Sequence, residues 1–221
     1  MIEIIPAILP KDFHELEEKM SLVKGAVSFV QIDIMDKTFT QDATWPYRKP
    51  DDNFRAILAE ERGMPFWEEM DFEADLMIKK PEEVVEDWIM AGAVRLIIHA
   101  NSTENLDELI KNLSGRVEII LGLEIETDIS IIDKYIEQIQ GVQCMGIAKI
   151  GFQGQPFDER VVEKVRLIRS KYPSLPISVD GGEDLEHGKL VVEAGANRLV
   201  CGSSIYNSQN VFQTIEKLKS L

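Results

Sequence analysis

Apolar residues in this chain recur in two alternating rhythms. One is the short, nearly continuous run of a strand buried on both faces. The other is the three-to-four spacing of an amphipathic helix. The runs predict eight strands, at 2–9, 28–34, 71–77, 94–99, 117–123, 142–150, 176–180 and 198–201. Between them, Phe13, Leu16, Met20 and Val23 form one helical stripe. Val84, Val85, Trp88 and Ile89 form another, as do Leu106, Leu109, Ile110 and Leu113. The series continues with Ile132, Tyr135, Ile136 and Ile139, then Val161, Val165, Ile168 and Tyr172, then Val211, Ile215 and Leu218. Weaker patterns at 52–62 and 184–194 fill the two remaining gaps. Breakers stand at the junctions, among them Pro81, Gly115, Gly141, Pro173 and Gly195. Eight strand–helix units with no low-complexity linker predict one α/β domain over residues 1–221, a (β/α)8 TIM barrel. A doubly wound sheet is the alternative, but no G-x-G-x-x-G turn follows the first strand.

Charge narrows the partners. Lys and Arg total 24 against 39 Asp and Glu, a net charge of −15. That weighs against nucleic acid and against anionic membrane surfaces, both of which are held by Lys and Arg. No apolar run approaches the roughly 18 residues of a membrane span. Residues 1–6 lack the basic start and apolar core of a signal peptide, so a cytoplasmic protein is expected. Cys144 and Cys201 lie in apolar surroundings and read as buried reduced thiols.

In a barrel of this kind the chemistry sits where the strands end. There the chain concentrates glycine: Gly151, Gln153 and Gly154 after strand six, Gly181 and Gly182 after strand seven, Gly202 and Ser203 after strand eight. Glycine-rich turns ahead of helices present backbone N–H groups that cradle a phosphate. One such loop reads as a turn only; three on neighbouring strands predict phosphate binding. Asp33, Asp75 and Asp180 each end an apolar strand, and Gln31 shares a face with Asp33. A lone Asp at such a junction serves as a helix N-cap. Several aimed into one mouth resist ionising together, and need a cation, a shared proton or a nearby Lys or Arg. His99 ends strand four and is either a pocket residue or a structural one, whereas His14 and His187 fall on outer helices. The long segment 36–52, with Trp45, Tyr47, Arg48 and Lys49, has the length of a lid or a dimer contact.

Seven stretches, in order, resemble the ribulose-phosphate 3-epimerase family. Ile5-Pro6-Ala7-Ile8-Leu9 is similar to its A-P-S-I-L, and Gln31-Ile32-Asp33-Ile34-Met35-Asp36 to its H-x-D-V-M-D. Ala74-Asp75-Leu76-Met77-Ile78 resembles its V-H-L-M-I, and Ala91-Gly92-Ala93 with His99 its A-G-A-D…H. Gly151-Phe152-Gln153-Gly154-Gln155, Val179-Asp180-Gly181-Gly182 and Gly202-Ser203-Ser204-Ile205-Tyr206 resemble its G-F-G-G-Q, V-D-G-G and G-S-x-I-F. The resemblance implies a TIM barrel in which one Asp removes the proton beside the carbonyl of a ketopentose phosphate. A second Asp, on the opposite face, returns one through an ene-diolate, and two His and the same two Asp hold a divalent metal.

Carried over by position, the acid–base pair falls on Asp33 and Asp180, and the pocket methionines on Met35, Met77 and Met145. The family's histidines fall on Gln31 and Asp75. The set Gln31, Asp33, Asp75 and Asp180 suits Mg or Mn if any ion binds; Zn and Fe are not expected. The family's N-terminal serine is Ala7, and the glycine of M-D-G is Lys37. Its N-P-G segment is replaced by Lys149-Ile150-Gly151, with one extra residue after Met145. Three functions stand open: an epimerase or isomerase of a sugar phosphate with altered or absent metal, a catalytically silent phosphosugar-binding homologue, and a Schiff-base aldolase using Lys149. The expected partner is a phosphorylated sugar, and a homo-oligomer is expected.

Overall fold

A computed structural model describes residues 2–49, 51–151, 155–182 and 184–221. Gln153 and Gly154 of the phosphate motif lie outside the described residues. Eight parallel strands close into a barrel: β1 (Glu3–Ile8), β2 (Phe29–Met35), β3 (Asp71–Met77), β4 (Arg95–His99), β5 (Glu118–Leu123), β6 (Gly141–Met145), β7 (Ile177–Asp180) and β8 (Arg198–Cys201). Each pairs with its neighbour in sequence, and β8 returns to β1 through Glu3–Arg198 to Pro6–Cys201. The helices are α1 (Phe13–Val23), α2 (Asp52–Leu58), α3 (Val85–Met90), α4 (Leu106–Leu113), α5 (Ile131–Tyr135), α6 (Arg160–Lys171), α7 (Leu185–Ala194), α8 (Ser203–Tyr206) and α9 (Val211–Lys219).

The helices form where the stripes stand, and four are started by side chains, with Asp51 accepting from Asn53 and Phe54 N–H at the start of α2. Asp12, Asp184 and Asn210 likewise accept hydrogen bonds from backbone N–H groups in the first turns of α1, α7 and α9. Gly195 ends α7 in the left-handed conformation at φ 118°. The short α8 left no stripe in the sequence, because four residues are too few to show a 3.6-residue period.

Strand six departs from its expected span. It leaves the ladder at Met145 rather than running to 150. Gly146 N–H donates to the Asp180 carbonyl at 2.6 Å, and Ile147 folds over the barrel mouth and is buried. The apolar Ile147 therefore reflects packing over the mouth, not a strand, while Ala148 is exposed. As a consequence Lys149, expected at a strand end in the pocket, is exposed on the connecting loop.

The segment after β2 is anchored to the barrel at Thr44 and Trp45. Thr44 Oγ1 donates to the Asp33 carbonyl at 2.7 Å and accepts from Met35 N–H at 2.9 Å. Trp45 is buried among Phe13, Phe54 and Trp88, with ring centroids 5.5, 5.3 and 6.0 Å away. Lys37, which stands at the family's glycine, takes a left-handed φ of 73°. A side chain in this left-handed conformation costs roughly 1–2 kcal/mol.

Two buried layers result. Between strands and helices lies a continuous apolar layer. Inside the barrel, Ile5, Ala7, Phe29 and Val200 make a small apolar cluster. The rest of the buried polar set includes Gln31, Glu73, Asp75, Arg95, His99, Gln143 and Ser178. At the N-terminal end of the strands Arg95 Nη1 donates to Glu73 Oε2 at 3.0 Å, with its guanidinium 4.0 Å over the Phe29 ring. Both cysteines are buried, as expected.

Candidate active site

At the opposite end the strands deliver a compact polar constellation. Asp33 and Asp75 are register partners on β2 and β3, and Asp180 ends β7 beside Met145 of β6. Oxygens of the three carboxylates lie within 4.8 Å of one another. Gln31, two residues before Asp33 and so on its face, sends Nε2 to Asp33 Oδ1 at 2.8 Å and to Asp180 Oδ2 at 3.0 Å. His99 Nε2 meets Asp75 Oδ1 at 2.9 Å. Its ring fits because β5 carries Gly122 alongside, where a Cβ would lie 3.1 Å from Nδ1.

Three carboxyls this close, removed from water, cannot all ionise freely. Burial first, then the charges of Asp180 and Asp75, raise the Asp33 pKa well above the usual carboxylate range. Burial and then Asp75 push Asp180 up to about 7, and the Gln31 amide only partly offsets this. For His99, burial works against the charge, but the charge and hydrogen bond of Asp75 outweigh it and the pKa is raised. Burial and mutual repulsion thus favour the protonated forms of Asp33 and Asp180.

A cavity of about 550 Å³, counted out to its open mouth, sits above this constellation. Asp33 and Asp180 reach it, and Met77 and Met145 form apolar wall. Gly151, Gly181, Gly182, Gly202 and Ser203 line the side of β6 to β8. Gly181 and Gly182 have φ of 100° and 75°, and a Cβ on Gly182 would stand 2.8 Å from Phe157 Cα. Gly181, Gly182 and Gly202 bring backbone, with no side chain in the way, to this wall.

Not every expected residue lines this cavity. Gln31 and Asp75 are fully buried beneath it. Met35 is buried with its sulfur against Gly151, behind the wall. Ala7, in the serine's place, does line it. Gln143 was not anticipated: fully buried on β6, its Nε2 donates to Asp180 Oδ2 at 3.2 Å and to Asp75 Oδ2 at 3.4 Å. The signal was present, since Gln143 stands two residues before Met145 in an otherwise apolar strand.

Comparison with known proteins agrees with this architecture. A ribulose-phosphate 3-epimerase from Bacillus subtilis is 29% identical over 99% of this chain and 99% of its own length. One from Schizosaccharomyces pombe is 27% identical over 99% of this chain and 92% of its own length. The crystal structure of 3-hexulose-6-phosphate synthase from Salmonella typhimurium shares the fold, with a TM-score of 0.69 at 14% identity, covering 99% of this chain and 97% of that one. Residues 3–206 match the model of the Ribulose-phosphate 3 epimerase family, and the chain belongs to that family.

Proposed function

We propose that the protein epimerises a ketose phosphate, with Asp33 and Asp180 as the acid–base pair. The observation that carries this reading is their pairing: both reach one cavity, both are tied to one amide, and both titrate far above ordinary carboxylates. A two-base epimerase needs one carboxylate to accept the proton beside the carbonyl and one carboxylic acid to return a proton on the other face. Two mutually repelling carboxyls that retain a proton between them meet that need, and an apparent pKa near the working pH favours transfer in both directions. The proton leaves carbon as the ene-diolate forms, and arrives at the same carbon with inverted configuration. The phosphate rests on backbone N–H groups of the Gly181, Gly182 and Gly202 turns beside Ser203, so the grip needs no basic patch in a chain of net charge −15.

The resemblance implies a divalent metal. Oxygens of Asp33, Asp75 and Asp180 within 4.8 Å of one another fit a hard ion such as Mg or Mn. Gln31 turns Nε2 toward Asp33 and Asp180, so it joins the ligand set only with its amide reversed. Such an ion supplies positive charge against the negative charge that develops on the substrate's oxygens.

Proton exchange tests the reading. Ribulose 5-phosphate in D₂O with the purified protein is expected to take up deuterium at the carbinol carbon beside the carbonyl, followed by NMR. No exchange, with or without added Mg or Mn, overturns the activity on that substrate. Stabilisation by the phosphosugar without exchange identifies a binding protein instead.

A further inference from the structure

We infer that Gln143 is a positioning residue for Asp180, fixing the oxygen that faces the substrate. The inference rests on the acid–base reading of Asp180 given above. Asp180 Oδ2 accepts from two amides, Gln31 Nε2 at 3.0 Å and Gln143 Nε2 at 3.2 Å. Among the described residues no donor reaches Oδ1, so one oxygen of this carboxyl is tethered and the other is left for chemistry. Asp33 shows the same division, with Oδ1 held by Gln31 and Oδ2 unengaged among the described residues.

The two amides differ in reach. Gln31 spans Asp33 and Asp180, whereas Gln143 spans Asp180 and Asp75. Gln143 is therefore the tie that joins Asp180 to the buried Asp75–His99 pair and keeps it from turning toward Asp33. A glutamine is an expensive choice for this position. Its Oε1 is buried with no partner among the described residues, a loss that an aliphatic side chain of the same strand would not incur. Neighbouring strands make the room: Gln143 pairs in register with Gly122 of β5, which carries no side chain, and with the small Ser178 of β7. A carboxyl whose plane is fixed by two donors on one oxygen presents the other in a single direction, which is what proton transfer to one face of a planar intermediate requires.

The test is Gln143→Leu, read by kinetics and by crystallography. With ribulose 5-phosphate, kcat is expected to fall about tenfold to a hundredfold, the worth of a hydrogen bond to an ionisable group. KM is expected to stay within about twofold, because the phosphate grip on β7 and β8 is untouched. In the crystal structure of the variant the Asp180 carboxyl is expected to have rotated. Gln143→Glu keeps the shape but loses the amide donor, and its activity is expected to recover on acidification beyond the wild-type pH dependence, as its own carboxyl regains a proton to donate. A Gln143→Leu protein with Asp180 in its original orientation, or with unchanged kcat, overturns the inference. If Gln143→Leu does not fold, the Gln143→Glu pH response and crystal structure decide. If the wild type shows no turnover, the epimerase reading falls, while the orientation of Asp180 in the variant still decides the role of Gln143.

Discussion

Leu16, Trp88, Ile110 and Val165, between the strands and the helices, are completely withdrawn from solvent. Gln31, Asp75, His99 and Gln143, inside the barrel, are withdrawn equally completely. The first group gains free energy from burial, at about 25 cal/mol per Å² of apolar surface. The second loses hydration and recovers part of it through hydrogen bonds. Equal burial thus has opposite energetic sign in the two regions. Burial in the outer layer favours the closed barrel, and it offsets the cost of holding carboxyls close together in the interior. The division explains why the elevated pKa values of Asp33, Asp75's partner His99 and Asp180 are concentrated inside the strands.

The comparison breaks most sharply at the acid–base pair. Asp33→Asn or Asp180→Asn is expected to lower proton exchange by about 10²–10⁴-fold. The melting temperature should stay level or rise, since one member of a repelling set is removed; a large loss of stability would show that the interior is structural. The outer layer should answer in the opposite way. Trp88→Ala leaves a void beside Trp45, Phe54 and Phe72 and is expected to cost about 3–5 kcal/mol in denaturant unfolding. Turnover per folded molecule should be unchanged.

Glu73 tests the interior at its other end. Burial, against the pull of Arg95 and Arg198, pushes its pKa from 4.5 up to about 8. The folded state holds this proton more tightly than the unfolded chain does. The group's contribution to stability is therefore fully present below about pH 4.5 and is lost as pH rises to about 8. Glu73→Gln is expected to remove that decline, amounting to roughly a few kcal/mol at most, in unfolding curves measured across the window. The smallest effect belongs to Lys149. Exposed on its loop, it should tolerate Lys149→Ala with turnover within about twofold and stability within about 0.5 kcal/mol. Borohydride with a ketose phosphate should trap no adduct, and a Lys149 adduct would restore the aldolase reading.

How much of this was legible beforehand depended on the kind of signal. The outer layer wrote itself into the chain as stripes such as Leu106, Leu109, Ile110 and Leu113, because a helix packed on a sheet must repeat its apolar residues at its own period. Strand ends were clear where a charged residue closed an apolar run, as at Asp180, and unclear at Met145, where Ile147 and Ile150 continue the run for a different reason. Asp33 and Asp180 stood out as carboxylates in apolar strands. Gln143 stands out less, because an uncharged amide in an apolar strand is a weaker signal than a carboxylate at a strand end.

Local pattern by itself therefore determined the eight strand–helix units, the glycine loops after β6 to β8 and the carboxylates at strand ends. Those depend on periodicity and residue type within a few positions of each other. Only closure of the barrel decided which polar groups meet. Gln31 and Asp180 are 149 residues apart in sequence, and Gln143 and Asp75 are 68 apart. Their hydrogen bonds, the raised pKa values that follow, and the withdrawal of Lys149 to the surface arise from strand register and barrel curvature, which no local pattern records.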